Sequence, residues 1–333
     1  MNSIANQVTS PKATSPDGFA VRVVQMRYEA PTVLSLELAH PEGIDLPPFT
    51  AGAHIDLRLA PDCTRSYSLL NSSSERHRYV VAVHLDPDSR GGSRHVHERL
   101  RVGDLLAIAP PENHFPLDEK AAHSILIAGG IGITPLLSMA RRLNALGRSW
   151  DLFYAARSRR SAAFIRDLEH ASAAGASRLH LHFDDETGGG APDLSRFVAA
   201  APPDSHFYCC GPAPMLDAFR RLMQDVAPAR VHFEYFAAAQ EAATEGGFEL
   251  VLAKSGKRVE VPAGKTLLQA ILDAKVDVNY ACSQGVCGTC LTTLLEGEPD
   301  HRDNYLTDEE RSSNAMIMVC CSGSKSARLV LDL

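Results

Sequence analysis

Apolar and polar positions alternate through the first third of the chain. FAVRVVQMRY, VLSLELAH, HIDLRLA, RYVVAVHL and DLLAIAP are short alternating segments, the spacing of strands with one buried face. Turn residues separate them, so residues 18–118 are expected to form an antiparallel sheet or small β-barrel. The period then changes. Over residues 119–236, HSILIA is a compact apolar strand, GGIGITP a Gly-rich turn and LLSMARRLNAL an amphipathic helix. DLFYAAR, RLHLHFDD and HFYCCGP supply further strands. Strands alternating with helices predict an α/β domain built on a parallel sheet. Residues 237–246, AAAQEAATEG, show no strong apolar face and are expected to link. Residues 247–333 open with two alternating strands around a Ser-Gly turn, GFELVLAKSGKRVEVPAG, and end with the strand RLVLDL. Between them TLLQAILDAK has one apolar face, and Thr266 and Gln269 fit a capping box at its start. The third domain is therefore expected to be α+β, a β-grasp sheet clasping one helix. The whole chain is expected to be multidomain.

Composition narrows the function. The chain has 333 residues, 45% of them hydrophobic and 22% charged, as in ordinary globular protein. The net charge is −7, with 9 Lys/Arg against 12 Asp/Glu in residues 247–333 and 24 against 28 before them. Neither part is basic, so binding to a nucleic-acid backbone is not expected. No apolar run is long enough for a membrane span. The opening MNSIANQVTSPKATSPDG lacks the apolar core of a signal peptide and reads as a frayed tail. A cytoplasmic location is expected, where disulfides are rare. The eight cysteines then need another explanation.

Cys282, Cys287 and Cys290 stand as C-x4-C-x2-C, and Cys320 follows further on. This is the plant-type [2Fe–2S] spacing. Soft thiolates suit iron and sulfide. Gly285 and Gly288 would let the backbone curl around the sulfides and donate N–H groups to sulfur. A structural zinc site fits less well, because such sites favour tight C-x2-C pairs. Cys321 rivals Cys320 as fourth ligand. In an extended strand neighbours face opposite ways, so one of the two is excluded.

Two further constellations carry chemistry. RSYSLLNSS runs from Arg65 to Ser73, and RGGSRHVHERLRVGD follows some twenty residues later. Gly91 and Gly92 free the backbone there, and Ser93 opens an expected helix. Exposed N–H groups at a helix start and an arginine fork both suit a phosphate. GGIGITP, from Gly129 to Pro135, lies between a buried strand and a helix but departs from G-x-G-x-x-G. Thr134 as N-cap with Pro135 in the first helical turn is chemically sensible. Taken alone, each segment reads equally as an ordinary strand or a tight turn.

CSQGVCGTC, GEPDHRDNYLTDEE and MVCCSGSKSARLVLDL resemble the C-terminal ferredoxin domain of the phthalate dioxygenase reductase and vanillate demethylase reductase family. The upstream motifs follow the family's order, and the resemblance spans about residues 20–333. It implies Cys320 as the fourth ligand, with Cys321 a bystander. It implies a flavin held by R-x-Y-S and G-G-S elements. Arg65 and Ser93 would hold its phosphate, and Ser66, Gly91 and Gly92 would also belong to the cofactor site. Tyr67 would lie against the ring system and Ser68 would donate toward N5. Val83 and His84 lie on the family strand that passes the flavin, although His84 also reads as a satisfied surface histidine. Gly129, Gly130, Gly132, Thr134 and Pro135 would receive the pyridine nucleotide. The C-G-P-x-x-M segment, Cys210, Gly211, Pro212 and Met215, would sit by the nicotinamide. Phe236 would close on the flavin, with Tyr235 as the alternative ring. Ser68, Cys210 and Phe236 are the residues expected nearest the reacting atoms.

The cofactors implied are FMN, with FAD as the alternative, NADH and a [2Fe–2S] cluster. Nicotinamide delivers hydride, a cluster takes single electrons, and a flavin does both, so it belongs between them. Asp184, Asp185 and Glu186 follow one strand, and Arg157, Arg159 and Arg160 follow another. Carboxylates favour a free ribose 2′-OH, whereas a 2′-phosphate wants cations. The resemblance favours NADH. It implies the reductase component of a Rieske-type non-haem iron oxygenase, passing electrons to a separate oxygenase. A haem monooxygenase or another acceptor is the alternative, and a non-turning-over iron–sulfur sensor is a further one. A monomer is expected. An acidic face of Asp300, Asp303, Asp308, Glu309 and Glu310 is a candidate for partner contact, as well as a solvated surface.

Overall fold

The computed structural model describes residues 18–60, 63–87, 89, 91–173, 177–189, 192–236, 240–280 and 282–333. The expected N-terminal tail lies outside these residues, apart from Gly18. The chain divides into two compact units. One holds residues up to 208 together with 226–232, and the other holds 209–225 and 233–333.

Strands β1 (Phe19–Ala30), β2 (Val33–Ala39), β3 (His54–Ala60), β4 (Cys63–Ser68), β5 (Tyr79–His84) and β6 (Leu105–Ile108) form a six-stranded sheet in the order β4-β3-β6-β1-β2-β5. The pairs β1/β2, β1/β6, β2/β5, β3/β4 and β3/β6 are antiparallel. A bridge between Leu69 and Val81 joins the two ends of the sheet and curls it into a barrel. Alternation does what the sequence asks: Val21, Val23, Leu36, Leu38, Ile55, Leu57, Val81 and Val83 fill one core. Helix α1 (Gly92–Glu98) follows β5 in the chain.

The next elements are β7 (His123–Gly129), α2 (Ile133–Ala145), β8 (Ser149–Ala156), α3 (Ile165–Ala173), β9 (Arg178–Phe183), α4 (Ser195–Ala199), β10 (His206–Cys210), α5 (Ala213–Leu222) and β11 (Val231–Glu234). The sheet order is β11-β10-β7-β8-β9, with β7/β8 and β8/β9 parallel. Every residue of β7 is buried, as a strand covered on both faces requires. Within the first unit, Ser138 of α2 donates to the Asn71 carbonyl at 3.2 Å, and the Asp118 N–H donates to the Tyr208 hydroxyl at 2.8 Å. These bonds fasten the α/β layer to the barrel.

In the second unit β12 (Phe248–Leu252), β13 (Lys257–Val261), α6 (Leu267–Asp273), β14 (Leu291–Glu296), β15 (Pro299–Asp300), α7 (Asp308–Ser313), β16 (Met316–Met318), β17 (Gly323–Ser324) and β18 (Arg328–Leu331) follow. A mixed sheet, β13-β12-β18-β14-β16, covers α6, whose Leu267, Leu268, Ala270 and Ile271 are buried. The Thr266/Gln269 capping box is formed. The described part of the expected linker, 240–246, makes contacts within the second unit. Ala243 is buried and its N–H donates to the Cys321 carbonyl at 2.8 Å, while Glu245 pairs with Arg302 at 2.7 Å. A small side chain and a backbone donor dock this segment without an apolar stripe.

Candidate functional site

The cysteine loop 282–290 and the turn after β16 bring four thiols together. Cys282, Cys287, Cys290 and Cys320 are all buried and none is in a disulfide. The thiols are close enough to hydrogen-bond one another. Contact from Cys282 lowers the Cys287 thiol to about 6. Cys282, then Cys290, pushes Cys320 strongly toward thiolate. The Gly285 N–H donates to Cys320 Sγ at 3.2 Å and the Gln284 N–H to Cys282 Sγ at 3.3 Å. Backbone donors aimed at a cage of four cysteine sulfurs fit a negative iron–sulfur cluster.

Gly288 has φ +79, and a Cβ there would meet the Tyr305 ring at 2.4 Å. Only glycine permits this close approach. Cys320 and Cys321 stand in a turn rather than in an extended strand, so strand alternation does not separate them. The Cys321 N–H and Ser322 N–H both fold back onto the Met318 carbonyl.

Of the expected acidic face, Asp303 is withdrawn from the surface. The Asp303 side chain is fully buried, its Oδ2 accepting the Tyr305 and Leu306 N–H groups at 3.1 and 2.8 Å. Arg311 Nη2 donates to its carbonyl at 2.6 Å. Asp300 is engaged by Arg302 at 2.8 Å. Glu310 caps α7 through Thr307 yet stays exposed, so Asp308, Glu309 and Glu310 remain outward charges. The ring nitrogens of His301 are buried too. Among the described residues neither has a hydrogen-bond partner, although Nδ1 lies 3.6 Å from Asp303 Oδ1. Sequence reading could not find this ionisable layer, because burial of a charged loop carries no periodic signal.

In the barrel, β4 carries Arg65, Ser66, Tyr67 and Ser68. Ser66 donates to Asp56 Oδ1 at 2.6 Å, so its hydroxyl is committed to β3. Tyr67 packs against the core, and burial raises its phenol. Ser68 is buried. A Cβ on Gly92 would sit 2.8 Å from Arg65 Cγ, so the arginine stem crosses the bare backbone at the start of α1. Gly91 is the N-cap of that helix, and Ser93 lies inside it rather than opening it. Ser93 Oγ donates to Ser89 Oγ at 2.9 Å and accepts from the Asp86 N–H at 3.2 Å. An arginine laid over the bare backbone beside Ser93 fits a phosphate-bearing ligand. The Val83 side chain is core, and its carbonyl lies 3.0 Å from His97 Nε2. His84 is exposed.

Gly129 ends β7, Gly130 to Gly132 form a 3₁₀ turn, and α2 begins at once. Gly132, not Thr134, is therefore the N-cap. Thr134 is buried inside the helix and donates back to the Ile131 carbonyl at 3.1 Å. Pro135 falls in the first turn, where its missing N–H costs nothing. The carboxyl ends of β8 and β9 meet: Arg159 lies 3.6 Å from Glu186 and stacks over the Phe183 ring at 4.6 Å. Ligands of open α/β sheets bind outside such strand ends.

In the second unit, Cys210 is buried, Gly211 and Pro212 lead into α5, and Met215 packs inside it. Phe236 is half-buried. Glu234 was not singled out from the sequence. Its Oε2 is buried without a hydrogen-bond partner among the described residues, and burial raises its carboxyl to about 8. It also adds to the rise of the Cys210 thiol, which burial mainly causes. Folded chain therefore keeps a proton that unfolded chain releases near the ordinary 4.5. Stability should fall as pH rises from about 4.5 to about 8 and level off above. Glu234→Gln is expected to remove that loss and gain on the order of a few kcal/mol near pH 9. Thermal unfolding of both proteins from pH 6 to 9 checks it; parallel curves would refute it.

Comparison with known proteins identifies two domain families along the chain. Residues 250–324 match the 2Fe-2S iron-sulfur cluster binding domain, and residues 126–221 match the oxidoreductase NAD-binding domain. The phenoxybenzoate dioxygenase subunit beta of Ectopseudomonas oleovorans is 53% identical over 94% of this chain and 97% of its own. The tetrachlorobenzoquinone reductase of Sphingobium chlorophenolicum is 50% identical over 93% and 97%. The solved structure of phthalate dioxygenase reductase, described as modular for electron transfer from pyridine nucleotides to [2Fe–2S], superposes with a TM-score of 0.77. It is 41% identical and covers 95% of this chain and 98% of its own.

A barrel, an NAD-binding sheet and a thiol-lined β-grasp module in this order define an electron-transfer reductase linked to pyridine nucleotides. The chain belongs to the phthalate dioxygenase reductase and vanillate demethylase reductase family. Among the described residues, no helix is long and apolar enough to cross a membrane.

Proposed function

We propose that this protein is the reductase component of a Rieske-type non-haem iron oxygenase system acting on an aromatic compound. It takes electrons from NADH and passes them through FMN and the [2Fe–2S] cluster to a separate oxygenase. The convergence of Cys282, Cys287, Cys290 and Cys320 carries the reading, because a single-electron outlet serves an acceptor outside the chain. The near-full-length likeness to a dioxygenase subunit supports that acceptor.

The domain boundaries proposed are 18–118 for flavin, 119–236 for NADH and 247–333 for the cluster, with 237–246 between them. Arg65, Gly91, Gly92 and Ser93 would hold the FMN phosphate. Tyr67, Ser68 and the backbone at Val83 and His84 would line the ring, with Ser66 bracing the strand through Asp56. Gly129, Gly130, Gly132, Thr134 and Pro135 would form the nucleotide turn. Cys210, Gly211, Pro212 and Met215 would place the nicotinamide, and Phe236 would lie near the flavin. When bound, nicotinamide supplies hydride, flavin divides it into single electrons, and the cluster carries them onward. The residues contribute orientation and exclusion of water.

Arg159 is already paired with Glu186, which leaves carboxylates at the strand ends where the adenosine ribose would lie. NADH is therefore expected to exceed NADPH in kcat/KM by about tenfold or more, measured with ferricyanide as acceptor. A higher value for NADPH would reverse the assignment.

A second reading is direct quinone reduction, favoured by the 50% identical quinone reductase. Purified protein, NADH and either a Rieske-type oxygenase or a quinone distinguish them. Oxygenase reduction that needs an intact cluster supports the first reading. Quinone reduction that persists in a cluster-free variant, with no oxygenase reduced by the intact protein, supports the second.

A further inference from the structure

We propose that the barrel rim carries a site for a first-row divalent metal ion of the zinc type, built from His54, Glu112 and His114. One ligand atom from each lies within 4.8 Å of the others. The arrangement follows from backbone pairing. The His54 N–H donates to the Glu112 carbonyl at 2.8 Å, and the Glu112 N–H donates to the His54 carbonyl at 3.1 Å. Residues that exchange both bonds face the same side of the pair. His114 is two residues beyond Glu112, at the bend that follows, and its ring also reaches this group. The rings of His54 and His114 are 5.4 Å apart and tilted by 36°.

The loop bearing two of the ligands is held. Asn113 donates to Thr50 Oγ1 at 2.7 Å and to the Ala51 carbonyl at 3.0 Å, and accepts from the Phe115 N–H at 3.0 Å. His54 is buried and fixed on β3, whereas Glu112 and His114 have side chains 53% and 36% exposed. Two ligands at the rim can rotate to close on an ion that the buried one anchors. At bonds of about 2.1 Å, tetrahedral ligand atoms lie roughly 3.4 Å apart. Glu112 Oε2 and His114 Nε2 already stand at 3.2 Å.

Imidazole, imidazole and carboxylate with an open fourth position suit zinc. Asp56 and Glu112 both act on His54 electrostatically and would balance a dication. A plain surface ion pair between Glu112 and His114 would not need the buried His54 on the same face.

Oxidised holoprotein dialysed against zinc tests this, with bound zinc and iron measured together. A single zinc per chain is expected, with iron and the visible cluster spectrum unchanged. His114→Ala and Glu112→Gln, both exposed and outside the electron path, should each weaken zinc binding by about tenfold or more. No bound zinc, equal binding by the variants, or zinc gained at the expense of iron would each overturn the proposal.

Discussion

Cys320→Ser is expected to leave a chain without its cluster, whereas Cys321→Ser keeps it. Cys320 Sγ already accepts the Gly285 N–H, and Cys282 and Cys290 crowd it. Cys321 Sγ instead turns toward the Met318 carbonyl at 3.7 Å. Serine replaces a soft thiolate with a hard hydroxyl that binds iron poorly. Iron and sulfide per chain should fall to near zero in the first variant, and the electron-spin signal of the reduced cluster should vanish. Transfer to cytochrome c should drop by roughly 100-fold or more, while ferricyanide reduction directly from the flavin persists. Loss of the cluster in Cys321→Ser with retention in Cys320→Ser would reverse the ligand assignment.

Arg65→Ala should release the flavin. The arginine lies over Gly92, beside Ser93, and has no substitute on β4. Charge-assisted bonds to phosphate contribute about 1.5–3 kcal/mol, so affinity should fall roughly 10- to 100-fold. Arg65→Lys keeps the charge but loses the fork and should fall between. Flavin fluorescence on dilution measures it. If flavin retention is unchanged in Arg65→Ala, the phosphate lies elsewhere.

Much of the architecture is written locally. The alternation around Val21 and Val23, the continuous apolar run of β7 and the Thr266/Gln269 box each specify an element from a few neighbouring residues. The cysteine spacing announces the ligands for the same reason. What failed to show depends on the third dimension. Thr134 looks like an N-cap, but the 3₁₀ turn at Gly130 carries the chain into the helix early. Cys320 and Cys321 look extended until the chain turns at Met318. Asp303 reads as surface charge, yet two backbone N–H groups and Arg311 draw it inside. Glu234 gains its character from burial alone. The His54, Glu112 and His114 group spans separate segments that only strand pairing joins.

The central claim is that one chain takes hydride from NADH and holds the electrons on a flavin and a four-cysteine cluster. An anaerobic titration of the holoprotein with NADH, followed by visible and electron-spin spectroscopy, tests it directly. Uptake of roughly three electrons per chain is expected, two on the flavin and one on the cluster. The cluster signal should grow as the flavin bleaches. A flavin that bleaches while the cluster stays oxidised, or a protein in which NADH reduces neither, would contradict the account.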